Sequence, residues 1–401
     1  MKKNNKKIVL NKTEQGKHIN IFLVFSITLI MIVLILGSLV KADRDMSENE
    51  NRYLTQMPEI SVGSILEGKF ESQLEDYLSD QIIGRENWIK IMSNVLEGIG
   101  YKDIKGVYLL DDGRLAERIT ASDFKEDRFS KNLNEIVKLD DELLSEDSDA
   151  EIRVMLVPSA AYSYRNEFNV STSFNEAAAF DKAKDTLGSM YVDLKDELMP
   201  ADSASGGDEG RADFYYKTDH HWNYQGAWKA ACAYDNILGI EEEKYDPVEL
   251  ADGFMGTLYS KVLLNDRVRD KIEAPADSMD ADVKVTIEGK EYDSVYFMDR
   301  LEQKDKYEVF FGGNYDKVDI ENRSEEAQSK QKLLVIKDSY ANSFVPFILD
   351  DFSEITMIDT RYYRDSVEDL IIDGEYDQVL ILYSITNFAE EKLNLTSKAI
   401  I

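Results

Sequence analysis

Cysteine and histidine are scarce in this chain of 401 residues. Its one cysteine, Cys232, excludes an intramolecular disulfide and any multi-cysteine metal site. Because Cys232 lies in the apolar run at residues 227–234, we interpret it as a small buried residue rather than a nucleophile. Histidine occurs only at His18, His220 and His221, so any imidazole chemistry beyond the first 20 residues must use the adjacent pair.

Basic residues are also few relative to acidic ones. The formal net charge is −31, and six of the 47 basic residues lie within the first 20 positions together with one of the 78 acidic residues. The remainder therefore carries a net charge of −36. Such a surface repels nucleic acid, and we expect no nucleic-acid partner. The simplest interpretation of the acidic excess is that it keeps an exported domain soluble.

Residues 21–40 form an uncharged apolar run long enough to cross a bilayer as a helix. The lysine-rich flank before it predicts a cytoplasmic N-terminus. We therefore predict a single-pass plasma-membrane protein whose main domain is extracellular. Its segments would be a cytoplasmic basic tail, a transmembrane anchor, a stalk and an α/β domain, at residues 1–20, 21–40, 41–65 and 66–401. A cleaved signal peptide is the alternative, although residues 39–42 offer no clear small-x-small cleavage site.

Apolar runs alternating with helical patterns predict an α/β domain, in which helices cover both faces of a parallel sheet. The clearest strands are predicted at residues 151–158, 333–336, 355–359 and 378–383. Residues 240–332 show short alternating runs instead, and we predict a β-rich insertion positioned to roof the site. Ligand sites in such sheets lie at the carboxyl ends of the strands, where Ser339 follows one predicted strand.

The chemistry is predicted at Asp219, His221 and Ser339. Asp219 lies two residues before His221, close enough for its carboxylate to accept a hydrogen bond from the ring, and Ser339 is the candidate nucleophile. The alternative for Ser339 is a helix cap, a role that Asp338 could also fill. A metal site at His220 and His221 is the minority interpretation, because adjacent histidines on a strand face opposite sides and no third histidine lies beyond the apolar run; we predict no metal.

A family resemblance follows from these residues. Asp219-His220-His221-Trp222 resembles the motif that names the DHHW proteins, which are similar to the alginate O-acetyltransferases of bacterial envelopes. The likeness includes the segments at residues 50–54, 156–158, 310–314, 337–340 and 359–363. It implies an SGNH-hydrolase-like fold and a triad of Asp219, His221 and Ser339. Lys337 stands where the family's G-D-S motif has glycine. The order Asp–His–Ser is the reverse of that in ordinary SGNH esterases, which a circularly permuted fold would explain.

The function implied by the resemblance is O-acyl transfer, with acetyl as the expected group, to a cell-envelope or secreted polysaccharide. No cofactor is expected, and the acyl donor would come from a membrane-bound O-acyltransferase or a small-molecule ester. An esterase with the same triad and a non-catalytic carbohydrate-binding or scaffold protein are the alternatives.

Further site candidates surround the predicted triad. The backbone N–H groups of Ser339 and Tyr340 are candidate oxyanion donors. Arg361 would bind an anionic substituent or pair with an aspartate. The aromatic side chains either stack on sugar rings or pack in the core, and they are Trp222, Tyr340, Tyr362 and Tyr363.

Overall fold

The computed structural model describes residues 2–146, 148–167, 174–200, 213–240, 246–264 and 268–396. The chain forms two compact units, Met1–Met92 and Ser93–Ile401. The described helices, in chain order, are α1 (Lys2–Val40), α2 (Val62–Leu66), α3 (Lys69–Gln81), α4 (Arg85–Gly98), α5 (Glu126–Ser145), α6 (Ala160–Ser163), α7 (Glu176–Leu187), α8 (Tyr224–Leu238), α9 (Thr257–Val262), α10 (Ala341–Phe344), α11 (Val367–Gly374) and α12 (Ile385–Glu390). The described strands are β1 (Met46–Ser47), β2 (Arg52–Tyr53), β3 (Asp103–Ile104), β4 (Val107–Leu109), β5 (Leu115–Glu117), β6 (Glu151–Val157), β7 (Tyr191–Val192), β8 (Pro247–Phe254), β9 (Asp270–Pro275), β10 (Val283–Ile287), β11 (Lys290–Tyr292), β12 (Lys317–Asn322), β13 (Lys332–Lys337), β14 (Glu354–Ile358) and β15 (Gln378–Ser384).

In the first unit, α1 includes the stretch Asn20–Ser38, which is long and apolar enough to cross a membrane, with a mean hydropathy of 2.8. The segment after it, predicted as a stalk, is partly folded. Arg52 binds both carboxylate oxygens of Asp80 on α3, at 2.6 and 2.9 Å, and Asp80 also accepts the backbone N–H of Thr55 at 2.9 Å. The Asp80 carboxylate is buried, so these donors compensate its lost hydration and fix residues 52–55 against α3.

The second unit is built on an eight-stranded mixed sheet in the order β11-β10-β12-β14-β13-β15-β6-β7. The five strands from β14 to β7 are parallel, and β13 lies between β14 and β15. Strands β10, β11 and β12 extend this sheet by antiparallel pairing. Residues 240–332 are therefore rich in strands, as predicted, but three of those strands continue the main sheet rather than roofing the site.

The central strands are apolar on both faces because both faces are covered. On β13, Leu333 and Val335 belong to one buried cluster, whereas Leu334 and Ile336 belong to another. Helices α8 and α10 contribute to the first cluster; α5, α7, α11 and α12 contribute to the second. The alternation of side chains along a strand divides them between the two layers, which confirms the predicted α/β class. The carboxyl ends of β13 and β15 meet at one edge, where Asp338 and Ser339 follow β13.

Candidate active site

Asp219, His221 and Ser339 form one chain of hydrogen bonds. The Oδ1 atom of Asp219 lies 2.6 Å from Nδ1 of His221, and Nε2 of His221 lies 2.7 Å from Oγ of Ser339. An acidic partner on Nδ1 fixes that nitrogen as the proton donor, which leaves a lone pair on Nε2 directed at the serine hydroxyl. This is the geometry that a serine nucleophile and its base require.

The two histidines lie in a turn rather than on a strand. Tyr215 and Trp222 form an isolated bridge across this turn, so the residues between them bend. The rings of His220 and His221 consequently lie 3.9 Å apart, centre to centre, on the same side of the chain. The prediction that adjacent histidines face opposite sides was wrong, because it assumed extended backbone at this position.

The second carboxylate oxygen of Asp219 is held from a different part of the chain. Its Oδ2 accepts the backbone N–H of Thr257 at 2.6 Å and the hydroxyl of Thr257 at 3.0 Å, at the first residue of α9. Burial opposes ionisation of Asp219, but His220, His221 and the hydrogen bonds from His221 hold its pKa below the usual value. Asp219 is therefore a buried, fixed anion.

An aromatic side chain covers the imidazole of His221. The ring of Tyr307 stacks on it at 4.0 Å with an interplanar angle of 11°, and the Tyr307 hydroxyl donates to the backbone carbonyl of Ser339 at 3.0 Å. Burial, together with the neighbouring His220, lowers the pKa of His221 below 6.5 although Asp219 raises it. The neutral, base-competent ring is thus favoured at neutral pH.

Asp338 organises the backbone around Ser339. Its carboxylate is buried and accepts the backbone N–H groups of Tyr340 and Ser384, each at 2.9 Å, and the side-chain amide of Asn387 at 2.9 Å. The Tyr340 N–H is therefore engaged in a local turn and does not face an oxyanion, which corrects the prediction for that group. Among the described residues, the Ser339 N–H has no hydrogen-bond partner and remains the backbone candidate.

Lys337 extends β13 and is buried at 1% exposure. Its ammonium donates to the side-chain oxygens of Asn342 at 2.7 Å and Asn314 at 3.1 Å. Burial lowers the pKa of Lys337 to about 8, against the opposing effects of Asp359 and Asp338. The lysine that replaces the motif's glycine is thus buried and hydrogen-bonded to α10 and to the loop that contains Asn314.

The predicted substrate-contact residues fall into different environments. Trp222 is fully buried, and its ring N–H donates to the Tyr340 carbonyl at 3.1 Å, so it cannot stack on a sugar. Tyr340 is also buried, and its hydroxyl donates to the backbone carbonyl of His220. Arg361 forms an ion pair with Asp359 at 2.6 Å. Tyr362 is half exposed, whereas Tyr363 packs against the core.

A cavity of about 240 Å³ opens beside the triad. Its wall includes His220, Thr257, Tyr340 and Asn387, four residues in direct contact with the triad or with Asp338. Sequence reasoning missed Thr257, Tyr307 and Asn387 because none lies in a motif with Ser339 or His221. Only the closure of distant loops onto one sheet edge brings them together.

Asp219, His220 and His221 also offer three possible metal-ligand atoms within 4.8 Å of one another. In the structure, however, Asp219 and His221 direct these atoms toward each other, and His221 Nε2 toward Ser339. A metal ion at this position would have to break the chain that reaches the serine.

Residues 207–358 match the family model of the DHHW proteins, which confirms the resemblance predicted from the motif. The solved structure of a DHHW family protein from Eubacterium siraeum aligns with a TM-score of 0.57 and 23% identity, covering 74% of this chain and 98% of that one. Bacillus cereus PatB1, solved with a sulfonyl adduct, aligns with a TM-score of 0.56 and 20% identity, covering 73% and 100%. These two alignments show a shared fold.

The O-acetyltransferase domain of Pseudomonas putida AlgJ aligns with a TM-score of 0.40 and 14% identity, covering 71% of this chain and 93% of that domain. No curated protein matches the sequence.

Proposed function

We propose, with the match to the DHHW family as the premise, that this chain is a serine-dependent O-acyltransferase acting on a cell-envelope or secreted polysaccharide, with acetyl as the transferred group. The observation that carries the proposal is the hydrogen-bonded chain from Asp219 through His221 to Ser339, at 2.6 and 2.7 Å. The same three residue types in the same order of contacts perform acyl transfer on unrelated folds.

In the first half of the reaction, Nε2 of His221 takes the proton of Ser339 as Oγ attacks the carbonyl carbon of an acyl ester. Asp219 stabilises the imidazolium that forms. His221 then returns the proton to the leaving oxygen, which gives a serine ester. Because Tyr307 and the surrounding loops bury the imidazole, its interaction with the Asp219 carboxylate is stronger than it would be in water.

The negative charge of the tetrahedral intermediate needs donors. The unpartnered N–H of Ser339 is one. We assign the side-chain amide of Asn387 as the second, because it lines the cavity and Asp338 occupies only one of its two hydrogens. Asp338 would then act by orienting this amide.

The second half of the reaction separates a transferase from an esterase. A sugar hydroxyl must reach the serine ester more often than water does, and the polar-walled cavity beside the triad offers the acceptor a place to bind. Tyr362, half exposed, remains a candidate sugar platform, and Arg361 would contribute through Asp359 rather than by binding an anion directly.

The apolar helix supports an extracytoplasmic setting. The stretch Asn20–Ser38 would anchor the protein in the plasma membrane with its basic tail inside, next to a membrane-bound O-acyltransferase or another source of acyl groups. Protease added to intact spheroplasts should digest the second unit; its complete protection would contradict this topology.

Strand order supports a circularly permuted SGNH-like fold. If β13 is counted as the first strand, then β14, β15, β6 and β7 follow as the second to fifth, and their order in the sheet becomes 2-1-3-4-5. This is a common doubly wound order, with its switch point beside the first strand. The serine after β13 would then come first and the histidine motif after β7 last, as in ordinary SGNH esterases.

The test is to incubate the full chain, purified in detergent, with an activated acetyl ester and candidate oligosaccharides, and to weigh both protein and products. The wild type should carry an acetyl group on Ser339 and yield acetylated sugar, and Ser339→Ala should yield neither. Ser353→Ala, which changes a partly exposed serine directly before β14, is the matched control. Release of acetate alone would identify an esterase, and the absence of any adduct would identify a non-catalytic protein.

A further inference from the structure

We propose that His220 binds the acyl acceptor: its Nε2 atom accepts a hydrogen bond from a second hydroxyl, so that the preferred acceptor carries hydroxyls on neighbouring carbons. The inference rests on the proposed acyl transfer and adds the class of acceptor to it. His220 lies directly before the base in the sequence, and the triad itself does not use it.

The hydrogen bonds of Thr257 fix the tautomer of His220. The Thr257 hydroxyl lies 3.0 Å from Oδ2 of Asp219 and 2.7 Å from Nδ1 of His220. A hydroxyl has one hydrogen, and the ionised carboxylate can only accept, so that hydrogen points to Asp219. The Thr257 oxygen must then accept from His220, which places a proton on Nδ1; of the two neutral tautomers, this is the one that carries its lone pair on Nε2.

Asp219 therefore orients both imidazoles in the same sense. It binds Nδ1 of His221 directly through Oδ1 and reaches Nδ1 of His220 through Thr257. With the rings only 3.9 Å apart, centre to centre, both Nε2 atoms turn away from the carboxylate. One faces Ser339; the other has no hydrogen-bond partner among the described residues.

His220 is placed where an acceptor can reach it. Its side chain is 32% exposed, against 7% for His221, and it lines the cavity beside the triad. The hydroxyl of Tyr340 donates to its backbone carbonyl, and Thr257 holds its ring. An imidazole whose Nε2 atom is unpartnered and held in place is suited to a hydroxyl donor, and its fixed orientation lowers the entropic cost of binding.

The transfer step then uses both rings. One acceptor hydroxyl gives its proton to Nε2 of His221 as its oxygen bonds to the acyl carbon. The bond from that carbon to Oγ of Ser339 breaks, and His221 passes the proton to Oγ. The neighbouring hydroxyl donates to Nε2 of His220 throughout. Water has one oxygen and cannot occupy both positions, which favours transfer over hydrolysis.

The experiment compares ethylene glycol with ethanol as acceptors for the full chain, preloaded with an activated acetyl ester. The measured quantity is the ratio of acetyl transferred to acetate released for each alcohol. In the wild type this ratio should be higher for the diol than for ethanol. In His220→Asn the preference for the diol should be about tenfold smaller, which corresponds to the loss of one hydrogen bond. Asparagine keeps an N–H near Nδ1 for Thr257 but does not reach the position of Nε2. In His220→Gln, whose amide does reach it, part of the preference should return.

A purely structural role for His220 would lower transfer to both alcohols alike and leave their ratio unchanged, which would overturn the inference. If wild type and His220→Asn are both acetylated at Ser339 and show the same preference for the diol, the acceptor site at His220 is refuted, whereas the proposed acyl transfer is not. If the wild type forms no ester at Ser339, the proposed function and this inference both fail. Melting temperatures of the variants establish that each is folded.

Discussion

Gly256 lies directly against Asp219. A β-carbon at Gly256 would be 2.2 Å from Oδ2 and 2.3 Å from Cβ of Asp219, closer than any real contact. The backbone of Gly256 is extended, with φ −81° and ψ −161°, so this glycine is required by space rather than by conformation. It allows the start of α9 to approach the carboxylate closely enough for Thr257 to donate two hydrogen bonds.

Gly256→Ala should therefore displace Asp219 and weaken both imidazole contacts. We expect a loss of about 1–3 kcal/mol in the free energy of unfolding, typical of overpacking a buried site, and a larger proportional loss of ester turnover. Gly98→Ala is the control, since a β-carbon there meets nothing within 4 Å. Unfolding in urea and initial rates with an acetyl ester measure the two effects. Unaltered turnover by the Gly256 variant would show that the Asp219 contact is dispensable.

The dependence of the rate on pH should follow His221. The base must be neutral, and burial with the adjacent His220 lowers the pKa of His221 below 6.5. The acid limb of kcat/KM should consequently have its midpoint below pH 6.5. Asp219→Asn should lower the rate by about 10³–10⁴-fold, because it removes the anion that fixes the tautomer. Rates measured from pH 4 to pH 8 test both, and a midpoint above 6.5 would contradict the assigned base.

Glu176 should make the stability of the fold depend on pH. Burial raises the pKa of Glu176 from 4.5 to about 7, although hydrogen bonds from the N–H and hydroxyl of Ser159 oppose the rise. The pKa of Glu176 is higher in the folded than in the unfolded protein, so the protonated side chain stabilises the fold. This stabilisation is complete below pH 4.5 and is lost as the pH rises through 7. The loss is about 3 kcal/mol.

Glu176→Gln should remove that dependence, since glutamine resembles the protonated acid but does not titrate. The free energy of unfolding in urea at pH 5 and pH 8 should fall more in the wild type than in the variant. Glu325→Gln, at an exposed position, controls for the loss of one charge. Parallel changes in wild type and Glu176→Gln would contradict the assignment.

Lys337→Met should destabilise the second unit. Methionine retains much of the apolar stem but leaves the side-chain oxygen of Asn342 without its donor and removes one of the two donors to the side-chain oxygen of Asn314. We expect the free energy of unfolding to fall by about 1–3 kcal/mol, the cost of an unsatisfied buried polar group. Lys332→Met, at the other end of β13, is the control. Equal free energies of unfolding for the two variants would show that the buried ammonium of Lys337 does not stabilise the fold.

The covered strands were predictable because burial on both faces leaves an uninterrupted apolar run. The run predicted at residues 151–158 corresponds to β6, and those predicted at 333–336, 355–359 and 378–383 correspond to β13, β14 and β15, each with ends shifted by at most one residue. The attachment of β10, β11 and β12 to the same sheet was not predictable. The amphipathic pattern of a short strand predicts that it pairs with another strand. Which strand it pairs with depends on contacts between residues that are distant in sequence.

The sequence by itself determined the contact of Asp219 with His221, since two residues within a turn cannot separate far. It also determined that a serine follows a buried strand and that an apolar helix lies near the N-terminus. Only the tertiary structure decided that Ser339, 118 residues beyond His221, meets its Nε2 atom. The same closure of loops buried Trp222 and used Thr257 to orient His220. Hydrophobic periodicity and short spacings are local properties, whereas these contacts depend on which strands are neighbours and where each one ends.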